Sequence, residues 1–190
     1  QRVRRADIEW PMPPSVRRQA VPSPDVCDKG AGSPRLIDRG DLLAALDRAV
    51  ACKVTIISAP AGSGKTSLLR TWADRPGRPR RLAVVPVRRD QQDGQQFWLA
   101  LLDAVRQAIG TAGRTEPATA TPDFNGQAMV DRVLVELAGS DDDMVVVIDD
   151  LHELTAPEAL AQLTSLLTRL PRHVRAVLAT RRDLRLQLHR

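Results

Sequence analysis

The stretch IISAPAGSGKTSLLR, residues 56–70, constrains the fold of this chain more than any other. A β-branched run, KVTIIS, feeds a glycine-bearing turn, and TSLLRTWAD leaves it with helical periodicity. Such a strand–turn–helix unit aims freed backbone N–H groups and the positive end of a helix dipole into one concavity, which suits phosphate oxygens. Gly62 and Gly64 stand where backbone must approach the phosphates closely. Lys65 is placed to bridge the β- and γ-phosphates, and Thr66 to offer its hydroxyl to Mg²⁺. Ala61, Ser63 and Ser67 complete the candidate phosphate-binding set. The pattern G-x-x-x-x-G-K-[ST] asks for glycine where this chain has Ala59. Alanine is tolerable there provided its φ is negative.

Around this unit, helical and β-rich runs alternate. RGDLLAALDRAVA, GQQFWLALLDAVRQAIG, DFNGQAMVDRVLVELAG and APEALAQLTSLLTRLP carry helical spacing, with Asp123 the expected N-cap of the third and Pro157 in the first turn of the fourth. RLAVVPV, MVVVIDD and VRAVLAT read as strands, and Pro86 requires the first to be an edge or irregular. Apolar strands separated by helices imply parallel pairing with helices on both faces, a three-layer α/β domain. Residues 1–33, with five prolines and no apolar periodicity, read as a flexible leader. The domain is expected to run from 34 to 190.

MVVVIDD supplies what the loop needs from a neighbouring strand: an apolar core that carries carboxylates out at its C-terminal edge. Asp149 is the candidate acid on the Mg²⁺ side. Asp150 is the candidate for orienting an attacking water, one methylene shorter than glutamate. His152 and Glu153 follow within reach of the same region. At the end of VRAVLAT, Thr180 and Arg181, then Arg182, are candidates to sense the γ-phosphate. The run Asp141–Asp143 reads as a solvated turn.

The net charge of +5 is unevenly placed: residues 169–190 hold seven Arg against one Asp. That asymmetry argues against the whole domain as a nucleic-acid binder, which needs a basic face with interleaved aromatics. Cys27 and Cys52 lack neighbours at zinc-ligand spacing and read as reduced thiols. No apolar run approaches a membrane span, and the N-terminus lacks the apolar segment of a signal peptide, so a cytoplasmic protein without membrane contact is expected.

The loop SAPAGSGKTSLLRTWA, the segment DQQDGQQFWLALLDAV, the strand VVVIDDLHEL and the end LTRLPRHVRAVLATRRDLRLQLHR follow one another in a familiar order. Over residues 34–190 the chain resembles the N-terminal P-loop ATPase domain of the large ATP-binding LuxR-type transcriptional regulators. These are signal-transduction ATPases with numerous domains (STAND) of the AAA+-like class. The resemblance implies ATP with Mg²⁺, slow hydrolysis that resets a switch, self-association through this domain, and DNA contact only through a separate C-terminal domain. Gly62, Gly64, Lys65, Thr66, Asp149 and Asp150 carry over, and Arg181 with them. The resemblance also implies a fifth strand after VRAVLAT, beside the loop-bearing strand. Residues for it are not found before Arg190, so the domain is expected to be truncated after its fourth core strand, with one edge of the loop-bearing strand unpaired.

Overall fold

The computed structural model describes residues 3–6, 39–75, 80–88, 94–112 and 124–181. Its elements run β1 (Val3–Ala6), α1 (Arg39–Ala49), β2 (Val54–Ser58), α2 (Lys65–Ala73), β3 (Arg81–Pro86), α3 (Gly94–Ile109), α4 (Gly126–Ala138), β4 (Met144–Asp149), a 3₁₀ turn (Leu151–Glu153), α5 (Pro157–Arg169) and β5 (Val174–Thr180). The strands form one parallel sheet in the order β1-β2-β5-β4-β3. Each parallel step needs a crossover, and the helices supply it.

Burial explains the three layers. Every residue of β4 is buried, so both faces of that strand are covered. Its side chains alternate: Met144, Val146 and Ile148 pack with α3, α4 and α5, whereas Val145 and Val147 pack with α1 and α2. Phe97 and Trp98 anchor α3 in the first layer as an edge-to-face pair with centroids 5.3 Å apart. Trp72 anchors α2 in the second, and its indole N–H donates to Asp47 Oδ1 of α1 at 2.9 Å. Arg106 is buried between α3 and α4, where its Nε meets Glu136 Oε1 at 2.7 Å. A buried charge is tolerable only when paired in this way.

Pro86 ends β3, which is an edge strand, so its missing N–H interrupts no central ladder. Pro157 opens α5 as expected. The N-cap of α4 differs from expectation. Asn125, in extended conformation, accepts from the Ala128 N–H at 3.1 Å, so the helix starts at Gly126. Asp123, the expected cap, lies outside the described residues.

The larger correction concerns the edge of β2. It is paired along its length with β1, from Val3 opposite Val54 to Ala6 opposite Ile57. The sheet therefore has five strands, and the edge expected to lie open is filled from the segment read as a flexible leader. The physical reason is that an exposed strand edge presents a row of unpaired N–H and C=O groups, which any extended segment within reach can satisfy. Val3-Arg4-Arg5-Ala6 is short and charged, as edge strands tolerate. Residues 7–33 of that segment lie outside the described residues.

Removing residues 1–6 is expected to lower the urea midpoint and to make sedimentation velocity concentration-dependent, because the β2 edge then seeks another strand. A truncated chain that stays monomeric with an unchanged midpoint would show that β1 contributes nothing. Asn125→Ala is expected to cost about 1 kcal/mol in the same urea titration.

Candidate phosphate-binding site

The register of three strands assembles the site. Ser58 lies opposite Thr180 at the ends of β2 and β5, and Ile148 lies opposite Leu178 one strand further. The turn after β2, the residue after β5 and the acids after Ile148 therefore meet at one edge of the sheet. The Ala59 N–H extends the ladder by donating to the Thr180 carbonyl at 3.2 Å.

Ala59 is buried and does not have a positive φ; Gly62 and Gly64 do, at 76° and 82°. The loop thus needs glycine at 62 and 64, where a Cβ would be strained, and not at 59. Gly64 immediately precedes α2, whose first residues, Lys65 and Thr66, present the helix N-terminus to the same space.

Lys65 is buried, and its ammonium donates to the carbonyls of Ala59 at 2.7 Å and Pro60 at 3.0 Å. Burial pushes its pKa below the usual lysine range and Arg181 adds to that, while Asp150 and Asp149 pull it back. The Thr66 hydroxyl donates to Asp149 Oδ2 at 2.7 Å, which joins the loop to β4. The other oxygen of Asp149 accepts from the Asp150 N–H at 2.9 Å. Asp150 has φ 53°, the one positive value at a non-glycine among the described residues. Aspartate tolerates that region better than most residues, and strained backbone concentrates at functional sites. Its Oδ1 sits 3.6 Å from Arg181 Nε and 3.8 Å from His152 Nδ1.

Gly62, Gly64, Lys65, Thr66, Ser67, Asp150 and Arg181 all line one cleft of about 500 Å³. The cleft continues along α2 past Arg70, Thr71 and Asp74. Those three were not singled out from the sequence, although their i+3, i+4 and i+7 spacing from Ser67 puts them on its helix face. Asp149 reaches the site through Thr66, and the Ser63 hydroxyl is buried without a partner in the loop. Ala61 is exposed and does not line the cleft. Thr180 is fully buried, so of the candidate sensors Arg181 is the one that faces the cleft; Arg182 lies outside the described residues. His152 and Glu153 do not face it either. The His152 ring nitrogens are buried, with Nε2 3.2 Å from Glu153 Oε1.

The described residues contain no cluster of three or more His, Cys, Asp or Glu that would hold a metal alone. The donor set of Thr66 hydroxyl and Asp149 carboxylate instead fits Mg²⁺, which takes one or two protein oxygens and completes its shell with phosphate and water.

The acids stand at the end of β4, separated from the loop-bearing β2 by β5 rather than directly beside it as the sequence suggests. A parallel α/β sheet with a glycine-bent turn ahead of a helix, and acids one strand further, defines the P-loop NTPase class. Residues 35–178 match the family described as AAA ATPase domain, and the chain belongs to that family. It is similar to the HTH-type transcriptional regulator MalT of Yersinia pestis (strain Pestoides F) and of Yersinia pseudotuberculosis serotype O:1b. In each case 29% of 119 residues are identical. That match covers 62% of this chain and 13% of the relatives' length. Among solved structures, the Aeropyrum pernix ORC1 protein in complex with DNA superposes with TM-score 0.56 at 20% identity, over 78% of this chain and 40% of that one. Drosophila ORC bound to DNA gives 0.52 at 15% identity, over 80% of each chain. Both share the fold. The AAA-type ATPase domain expected from the sequence is thereby borne out, and no helix among the described residues is long and apolar enough to cross a membrane.

Because Gly64 holds φ 82°, Gly64→Ala is expected to lower unfolding free energy by about 1–2 kcal/mol. Ala59→Gly, at a position without that strain, is expected to cost under about 1 kcal/mol. Urea denaturation of the two variants decides it; equal losses would mean that position 59 shares the glycine requirement.

Proposed function

We propose that this chain binds ATP with Mg²⁺ at the loop Ala61–Ser67 and hydrolyses it slowly, as the switch domain of a LuxR-type, STAND-class regulator. The observation that carries this reading is the convergence of Lys65, Thr66, Asp150 and Arg181 on one cleft, with Asp149 bonded to Thr66. ATP rests on the resemblance to ATP-binding regulators and on membership of the AAA ATPase domain family. The residues divide the work. The N–H groups of the loop and the α2 N-terminus receive phosphate oxygens. The Lys65 ammonium leaves the Ala59 and Pro60 carbonyls for the β- and γ-phosphates, where negative charge restores its full proton affinity. Thr66 and Asp149 hold the metal, which when bound neutralises phosphate charge during transfer. Asp150 orients the water that attacks the γ-phosphate in line, and Arg181 exchanges its carboxylate partner for the γ-phosphate.

In this reading residues 34–190 are the ATPase domain of a cytoplasmic protein. Self-association runs through that domain, and DNA is bound by a separate domain. The similarity to MalT and membership of the AAA ATPase domain family support it. A second reading, a nucleotide-binding interaction module without turnover, is favoured by one observation. Arg181 stands 3.6 Å from Asp150 and draws on the carboxylate that must hold the water.

ATP titration and phosphate release decide between them. Lys65→Ala is expected to weaken ATP binding at least about tenfold, a loss of one charge-assisted contact. Asp150→Asn is expected to keep binding and to lose about a hundredfold in phosphate release. Unchanged ATP affinity in Lys65→Ala sinks the phosphate-loop reading, and a wild type that binds without releasing phosphate establishes the module.

A further inference from the structure

Lys53 enters β2 at the end of the sheet opposite the phosphate loop. Its side chain is half-buried, and Nζ donates to the Pro171 carbonyl, in the turn between α5 and β5. Its own carbonyl accepts from the Ala176 N–H at 2.9 Å, so the base of the residue is fixed in the β2–β5 ladder. Arg172 and Arg175 stand close enough for their charge to act on it. The Arg175 guanidinium donates to the carbonyls of Arg172 and, at 3.2 Å, of Val174. Among the described residues, none of these three cations forms an ion pair. A patch of like charge held together by carbonyls attracts an anion.

Composition points the same way. Of 28 basic residues only Lys29, Lys53 and Lys65 are lysine, so lysine is a rare choice in a chain that otherwise uses arginine. Burial, then Arg175 and Arg172, lower the Lys53 pKa to about 8. A neutral amine there keeps one N–H on the Pro171 carbonyl and leaves its lone pair free. Desolvation beside other cations is the usual way to make a lysine nucleophilic.

We propose that Lys53 is an acyl-acceptor site for small acyl phosphates, with Arg172 and Arg175 holding the donor's phosphate. The Nζ lone pair attacks the acyl carbon and an N–C bond forms. The C–O bond to phosphate breaks, phosphate departs with that electron pair, and the surplus proton on nitrogen passes to water. The product is an amide at Lys53 and free inorganic phosphate. The site lies apart from the nucleotide cleft and does not depend on how that cleft is used.

Acetyl phosphate, with acetylation at each lysine read by peptide mass spectrometry, tests this on the full chain. Near neutral pH, Lys53 of the folded chain is expected to react about tenfold faster than Lys53 of the urea-unfolded chain. Its rate should rise with pH and level off above about 8, since the neutral amine is the reactive form. The variant Arg172→Gln with Arg175→Gln should slow acetyl phosphate at least about fivefold, and the uncharged donor p-nitrophenyl acetate distinctly less. Far-ultraviolet circular dichroism shows whether the variant keeps its fold, and Arg172→Gln alone, at an exposed position, serves if the pair does not. Folded and unfolded chains reacting alike, or a rate still climbing as in free lysine, overturns the proposal. Equal slowing of both donors overturns the phosphate-holding role of the arginines.

Discussion

The site depends on where β5 lies. That strand is hydrogen-bonded to β2 on one side and to β4 on the other, all three parallel, so their C-terminal ends fall at one edge of the sheet. The β2–β5 ladder reaches the loop itself, because the Ala59 N–H donates to the Thr180 carbonyl. This bond fixes Ala59 in a buried, unstrained conformation and delays the turn until Gly62 and Gly64. It also places Arg181 just beyond the loop. On the other side, the β4–β5 ladder brings Asp149 to Thr66. A slip of one residue in either ladder would reverse every inward side chain and separate these groups, so burial of β4 and β5 on both faces specifies the chemistry as well as the fold.

Much of this was legible in the sequence, because the signals are local. Lys65 and Thr66 follow a strand and open a helix; Asp149 and Asp150 end an apolar strand; both facts survive without knowledge of the rest. What was not legible depends on tertiary contact. Val3–Ala6 has two arginines in four residues and no period, and becomes a strand only because β2 offers an open edge. The N-cap at Asn125 is not legible in the sequence, because Asp123 is an equally good capping residue type. His152 looked available to the cleft because it follows two acids. The 3₁₀ turn carries its ring inward, and Leu151 beside it is fully buried.

The electrostatics of the cleft describe a site under tension. Lys65 is buried with only two carbonyls as acceptors, neither of which carries a full charge. Arg181 opposes its protonation, and the acids that favour it are engaged elsewhere: Asp149 by Thr66 and the Asp150 N–H, and Asp150 by Arg181. An anion entering beside Lys65 and Arg181 would give Lys65 a charged partner and Arg181 an alternative to Asp150. Asp150 is then released from Arg181. In the proposed function, phosphate binding and freeing of the candidate water-positioning acid are opposite sides of a single exchange.

Lys53 stands just before β2 and Lys65 opens α2, and the two differ in their local packing. Lys65 and Lys53 both donate to backbone carbonyls, and burial lowers the pKa of both. Around Lys65 the groups are arranged to restore its charge: two acids stand near, and the cleft admits an anion that binds the ammonium form. Around Lys53 only arginines stand near, so nothing within the described residues returns its proton affinity. The first lysine is suited to hold charge against phosphate. The second is suited by burial, and then by the arginines, to lose its proton, and the proposed acyl phosphate uses both the lone pair so freed and the arginines beside it.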